Sequence, residues 1–186
     1  MRIIDDIVES TIRPPRLSLI LAPRQIGKTY ALVFHAIAYG LGHAGSVQIF
    51  ACSSNFHCHF MVSTLQNILR DMNMSLLVFA FDLTLPNTSR ITVMLADTIQ
   101  ADAACNVMYL DEFVFLDEDI TLRLCNTMLP STHIIGISTP MLNENILCRN
   151  LDDFIGKDRH VIIKFALSCQ DCKNTGQEDS CVHPTV

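Results

Sequence analysis

Thirteen consecutive residues, Leu17-Ser18-Leu19-Ile20-Leu21-Ala22-Pro23-Arg24-Gln25-Ile26-Gly27-Lys28-Thr29, restrict the fold more than any other stretch. A short apolar run breaks into a tight loop, and Gly-Lys-Thr then opens a long helical pattern. This is the layout of a phosphate-binding loop: a strand aims it, and backbone N–H groups with a helix N-terminus receive the anion. In that reading the segment from Ala22 through Thr29 (Ala22, Pro23, Arg24, Gln25, Ile26, Gly27, Lys28, Thr29) cradles a nucleotide's phosphates. Lys28 reaches the β/γ-phosphates, and the Thr29 hydroxyl ligates Mg²⁺. Ala22 stands where the G-x-x-x-x-G-K-[ST] pattern has its first glycine, so the loop is a variant. The alternative for Gly-Lys-Thr alone is an ordinary strand–turn–helix junction.

The rest of the chain alternates strand and helix signals. Leu17–Leu21 is apolar throughout, as suits the middle of a parallel sheet. A helix follows from 27 to about 41, with Ala31, Leu32, Phe34, His35 and Ile37 mostly inward, and Gly40-Leu41-Gly42 terminates it. Val47–Cys52 is the next strand. Ser53-Ser54-Asn55 offers an N-cap for a helix running to about 72, with Phe60, Met61, Leu65, Ile68 and Leu69 at helical spacing. Residues 76–81 and 90–95 are β-like runs on either side of a turn at Pro86-Asn87-Thr88-Ser89. Strands are expected at 106–110, 131–137 and 161–167, and helices near 117 and over 142–151. A short amphipathic helix at the N-terminus, carrying Ile3, Ile4, Ile7 and Val8, ends at the rigid break Arg13-Pro14-Pro15-Arg16. The order predicts a mostly parallel α/β sheet sandwiched by helices.

Two more strand ends carry chemistry. Val107-Met108-Tyr109-Leu110 runs into Asp111-Glu112, and charge at the end of a buried strand must be paired or functional. In a nucleotide hydrolase Asp111 orients Mg²⁺ and its water, and Glu112 polarises the attacking water as general base. Adjacent strand residues point to opposite sides, yet a strand end lets both reach one crevice. Two solvated loop acids would be the bland reading. At the end of a third apolar strand, Ile137-Ser138-Thr139-Pro140 sets small hydroxyls beside the γ-phosphate position, although such turns are also common structural chemistry. Arg24, three positions before Gly27, could stabilise developing charge as an arginine finger in cis. Plain phosphate binding or a solvated loop charge are its alternatives.

Bulk properties narrow the partners. A formal charge of −6 excludes a wholesale basic surface, so any DNA contact would be local or supplied by other segments or chains. At 49% hydrophobic and 17% charged residues, the chain is expected to be globular. No apolar run reaches the roughly 18 residues of a membrane span, and the acidic start at Asp5 and Asp6 does not fit a signal peptide. Eight cysteines without a secretion signal read as reduced thiols, mostly core fillers, in an intracellular protein. After the main domain (1–167) comes a polar tail (168–186) with Cys169, Cys172, Cys181 and His183, four soft ligands within fifteen residues. They could bind zinc, but the second pair is spaced too tightly for the usual knuckle. The other histidines are scattered, with His57 and His59 flanking Cys58 at a helix start.

Together the three motifs resemble the ATPase domain of viral terminase large subunits, the DNA-packaging motors. Ala22 to Thr29 is similar to that family's Walker A, Leu110-Asp111-Glu112 to its Walker B, and Ile137-Ser138-Thr139-Pro140 to its coupling motif. Pro23-Arg24 before Gly-Lys-Thr, the Ser-Thr pair and the cysteine-bearing stretch most resemble the herpesvirus-type branch. The resemblance implies a RecA-like P-loop NTPase fold of the additional-strand, catalytic-glutamate type. It implies Lys28 and Thr29 on phosphate and Mg²⁺, Asp111 on Mg²⁺, Glu112 as catalytic base, and Arg24 as a cis arginine. Ser138 and Thr139 would couple ATP hydrolysis to translocation of double-stranded DNA. It further implies a homo-oligomeric ring working with portal and small terminase subunits, in the host nucleus for the herpesvirus-type branch. A nuclease domain, usual in such proteins, is not expected within these residues, and the tail is expected to begin a further C-terminal region. No glutamine precedes Gln25 to recognise adenine, and residues 96–105 lack the Gly-Arg-rich loop of many relatives. The rivals are a nucleotide-binding assembly subunit without turnover and a helicase-type translocase.

Overall fold

The computed structural model describes residues 17–22, 26–74, 77–100, 103–127, 132–139 and 160–164. The expected elements at 1–16 and 142–151, the loop residues Pro23, Arg24 and Gln25, and the tail with Cys169, Cys172, Cys181 and His183 lie outside them.

Four apolar runs form the middle of the molecule: β1 (Leu17–Leu21), β2 (Val47–Cys52), β6 (Val107–Asp111) and β7 (His133–Ser138). Every residue of β1, β6 and β7 is buried, as expected for parallel strands covered on both faces. Around them lie β3 (Leu77–Phe79), β4 (Asp82–Thr84), β5 (Arg90–Leu95) and β8 (His160–Lys164). Among the described residues these eight strands make one sheet, ordered β3-β4-β5-β2-β6-β7-β1-β8. The pairs from β5 to β8 are parallel, and β3 and β4 add an antiparallel edge. β7 lies between β1 and β6, the place the sequence resemblance implies for an additional strand.

Period-two alternation divides the strand side chains between two cores. Ile20, Phe50, Tyr109, Ile135 and Ile137 face helices α1 (Lys28–Gly42) and α2 (Asn55–Asp71). Leu17, Leu19, Met108, Leu110 and Ile134 face the other way, onto Leu124 and Cys125 of α3 (Glu118–Thr127) and onto Phe113. Full burial of one such Leu, Ile or Phe side chain stabilises the fold by about 1.5–3 kcal/mol. Gly136 of β7 belongs to this packing, because a Cβ there would lie 2.7 Å from Leu19 Cδ2 and 3.1 Å from Phe113 Cδ1. Cys52, Cys58, Cys105 and Cys125 are buried. Burial holds Cys52 and Cys58 well toward the protonated form and pushes Cys105 up to about 11, so they serve as small apolar fillers. No described helix is long and apolar enough to cross a membrane.

Several local expectations need correction. The run at 76–81 is not one strand. It ends at Phe79, turns through Ala80 (φ 53°) and Phe81, and returns as β4. The Pro86–Ser89 turn therefore joins β4 to β5, and it also finishes α1. Asn87 Nδ2 donates to the Gly40 and Leu41 carbonyls at 2.7 and 3.1 Å, and the one Ser89 hydroxyl proton is shared between the Gly40 and His43 carbonyls, 2.9 and 2.8 Å from Oγ. These side chains satisfy carbonyls that a helix end leaves without partners. α1 does end within the expected Gly40-Leu41-Gly42 stretch, at Gly42, and Gly40 is also a packing residue, since a Cβ there would lie 2.6 Å from Leu85 Cδ1. Phe34 and Phe60, expected inward, are 45% and 47% exposed, and Phe56 is more exposed still. The inward faces of α1 and α2 are already filled by Ala31, Leu32, Val33, Met61, Leu65 and Leu69.

Candidate active site

The carboxyl ends of β1, β6 and β7 open on the same edge of the sheet, where ligands of open α/β folds bind. The Ala22 N–H donates to the Ser138 carbonyl at 2.9 Å, which carries the β1–β7 ladder one residue beyond β1. Gly27 caps α1 with φ +82°. An L side chain resists that left-handed conformation, and glycine adopts it without a steric penalty. The Gly27 carbonyl accepts from the Ala31 N–H at 2.9 Å and starts the helix. Lys28 and Thr29 are the first two helical residues, and one turn of α1 aims both across the sheet at β6 and β7.

β6 delivers the two acids. Asp111, its last residue, has the parity of Val107 and Tyr109 and faces α1 and α2. The Thr29 hydroxyl donates to Asp111 Oδ2 at 2.8 Å. Glu112 leaves the strand with φ 48°, a conformation uncommon outside glycine that recurs at functional sites. That turn swings its carboxylate onto the end of β7. Ser138 Oγ and the Thr139 N–H donate to Glu112 Oε2 at 3.1 and 3.0 Å, and Thr139 Oγ1 donates to Oε1 at 3.2 Å. Lys28 Nζ lies 3.3 Å from Glu112 Oε1 and donates to Thr139 Oγ1 at 2.9 Å. The structure thus brings Lys28, Thr29, Asp111, Glu112, Ser138 and Thr139 into one cluster.

One member of the cluster was not expected. His57, in the first turn of α2, sets Nε2 3.2 Å from Asp111 Oδ2. The sequence offered only a histidine at a helix start. The usable signal was its position five residues beyond Cys52 at the end of β2, the strand next to β6. Asp111 Oδ1 is buried and without a hydrogen-bond partner. A carboxylate oxygen in that state is costly, and it fits a hard divalent cation or its hydration water. Among the described residues no cluster of three His, Cys, Asp or Glu side chains could hold a metal by itself. A cation here would therefore need hydroxyl and ligand oxygens as well.

No family model matches the chain, and no curated protein matches it in sequence. In three dimensions it is similar to the large terminase of thermophilic bacteriophage D6E in complex with ATP-gamma-S, with TM-score 0.71 and 10% identity over 95% of this chain and 48% of that one. It is similar to the HK97 bacteriophage large terminase, with TM-score 0.68 and 16% identity over 90% of this chain and 39% of that one. The Thermus phage P74-26 large terminase ATPase domain matches with TM-score 0.63 and 14% identity over 92% of this chain and 83% of that domain. The chain spans less than half the length of the D6E and HK97 proteins. This likeness, with the parallel sheet and its inserted β7, identifies the fold as the P-loop α/β fold of large-terminase ATPase domains.

Proposed function

We propose that the chain is the ATPase motor domain of a terminase large subunit, which hydrolyses ATP to drive double-stranded DNA into a capsid. The observation that carries the reading is the meeting of Lys28, Thr29, Asp111, Glu112 and Thr139 at one sheet edge. The fold shared with large-terminase ATPase domains supports it.

The roles follow from the chemistry. The N-terminus of α1 and Lys28 receive the triphosphate, with Gly27 allowing close backbone approach. Asp111 and the Thr29 hydroxyl supply hard oxygen donors that fit a magnesium ion, and Mg²⁺ bound with the nucleotide would neutralise phosphate charge. Glu112 takes a proton from the attacking water as general base. Ser138 and Thr139 touch Glu112 and Lys28 together, which suits residues that sense the γ-phosphate and couple hydrolysis to DNA movement. Arg24 is assigned the cis arginine role on its position in the loop motif.

The wider assembly belongs to the same reading. It comprises a homo-oligomeric ring, portal and small terminase partners, and a separate nuclease region. The herpesvirus-type branch and a nuclear location rest on sequence motifs alone, chiefly Pro23-Arg24 and the cysteine-bearing tail.

ATP turnover with double-stranded DNA present tests the proposal. Lys28→Ala and Glu112→Gln are each expected to reduce kcat about 100-fold or more, the usual loss when one general base or charge-stabilising group is removed. Turnover that survives both substitutions overturns the reading. ATP binding without any turnover by the unaltered chain selects an assembly subunit, and duplex unwinding selects a helicase.

A further inference from the structure

We propose that His57 is a positioning residue for Asp111, holding its carboxylate so that Oδ1 is presented to the Mg²⁺–nucleotide. The proposal rests on the nucleotide-binding reading above.

Two helices clamp one carboxylate of β6. Thr29 Oγ1 of α1 donates to Asp111 Oδ2 at 2.8 Å, and His57 Nε2 of α2 lies 3.2 Å from the same oxygen. An ionised carboxylate only accepts, so the imidazole carries a proton on Nε2 and donates it. Oδ2 is then held from two directions while Oδ1, equally buried, has no partner. Rotation of the carboxylate would break both bonds, so the free oxygen points one way.

The placement of His57 is itself fixed. Ser54 caps α2, and its side chain accepts from the His57 N–H at 3.2 Å, which anchors the first turn at the end of β2. The parallel β2–β6 pair brings that end beside Asp111. The side chains of His57 and Asp111 are 15% and 3% exposed, so water competes weakly for their bond. His59, two residues on and about 200° around the helix, goes elsewhere: its ring lies 5.0 Å from that of Phe81. A histidine that merely filled space in the first turn would not need its Nε2 on a buried acid. Outer-sphere donors of this kind tune cation affinity by about 10–100-fold.

The test is the affinity of the full chain for a fluorescent ATP analogue, with saturating Mg²⁺ and with EDTA. In His57→Ala the affinity gained from Mg²⁺ is expected to fall about tenfold, while affinity in EDTA and Tm in EDTA stay those of the unaltered chain. His57→Gln, which retains a side-chain N–H donor, is expected to recover part of the gain. An unchanged Mg²⁺ gain in His57→Ala overturns the proposal. So does an equal loss with and without Mg²⁺, or a His57→Gln variant no better than His57→Ala. If the unaltered chain binds no nucleotide under either condition, the nucleotide-binding reading fails first and takes this proposal with it.

Discussion

Two buried polar networks hang from strand β6, two residues apart, and they are built to opposite ends. At Tyr109 the hydroxyl donates to Gln48 Oε1 at 3.0 Å and lies 2.9 Å from His35 Nδ1, which must therefore donate to it. Beside this network Ser18 Oγ meets His133 Nε2 at 3.0 Å. These groups lie beneath α1, the Tyr109 ring stacks on Phe50 with centroids 4.6 Å apart, and the unpartnered atom there is a neutral amide nitrogen, Gln48 Nε2. At Asp111 the groups lie at the open end of the sheet, and the unpartnered atom is a carboxylate oxygen. The first network is closed around neutral groups and pins helix to sheet. The second keeps a charge under-satisfied at the carboxyl end of the sheet, a cost that the proposed binding site would tolerate and a scaffold would not.

Acid should separate the two most strongly. Burial holds the His35 and His133 pKa at about 4, below the ordinary 6.5, with His133 and His43 adding repulsion at His35. Folding therefore favours the neutral rings. Their contribution is full above pH 6.5 and is lost as pH falls from 6.5 toward 4, at most roughly 3 kcal/mol for each ring. Urea midpoints measured across that range should drop steeply, and less steeply in His133→Gln. A flat profile would show that the closed network is not what acid attacks.

Tyr109→Phe should come next in size. It removes the shared hydroxyl and leaves Gln48 Oε1 and the His35 Nδ1–H unpartnered, costing about 1–3 kcal/mol in chemical denaturation. Nucleotide affinity should not move. The smallest stability effect is expected at Asp111→Asn, less than about 1 kcal/mol, because relief of a buried charge offsets weaker hydrogen bonds. The same variant should lose its Mg²⁺-linked nucleotide binding. A large fall in Tm at Asp111, or a binding defect at Tyr109, would erase the distinction between the networks.

Sequence made the central strands and three motifs readable for a physical reason. β1, β6 and β7 are covered on both faces, so each is an unbroken apolar run, and each motif is a covalent neighbour of its strand end. What depended on non-local geometry was hidden. His57 meets Asp111 across 54 positions, a contact set by the register of β2 on β6 and by the angle at which α2 leaves the sheet. The Ala80-Phe81 turn lacks Gly, Pro or Asn, so the β3–β4 hairpin read as one strand. Helical spacing reads Phe34 and Phe60 as inward, and only the finished packing shows the inner helix faces already full.

The Thr139 hydroxyl has a single proton, and the geometry commits it. That proton goes to Glu112 Oε1, and the oxygen's lone pair takes the Lys28 ammonium. Lys28 also faces the same Glu112 oxygen at 3.3 Å. A phosphate arriving at the α1 N-terminus competes for that ammonium, and what it gains Glu112 and Thr139 lose together. The carboxylate is ion-paired in this structure, and an anion that drew the cation away would leave it with the Ser138 and Thr139 donors alone. In the ATPase proposed above, arrival of the phosphate and release of Glu112 from its cation would be one event, joined through one threonine.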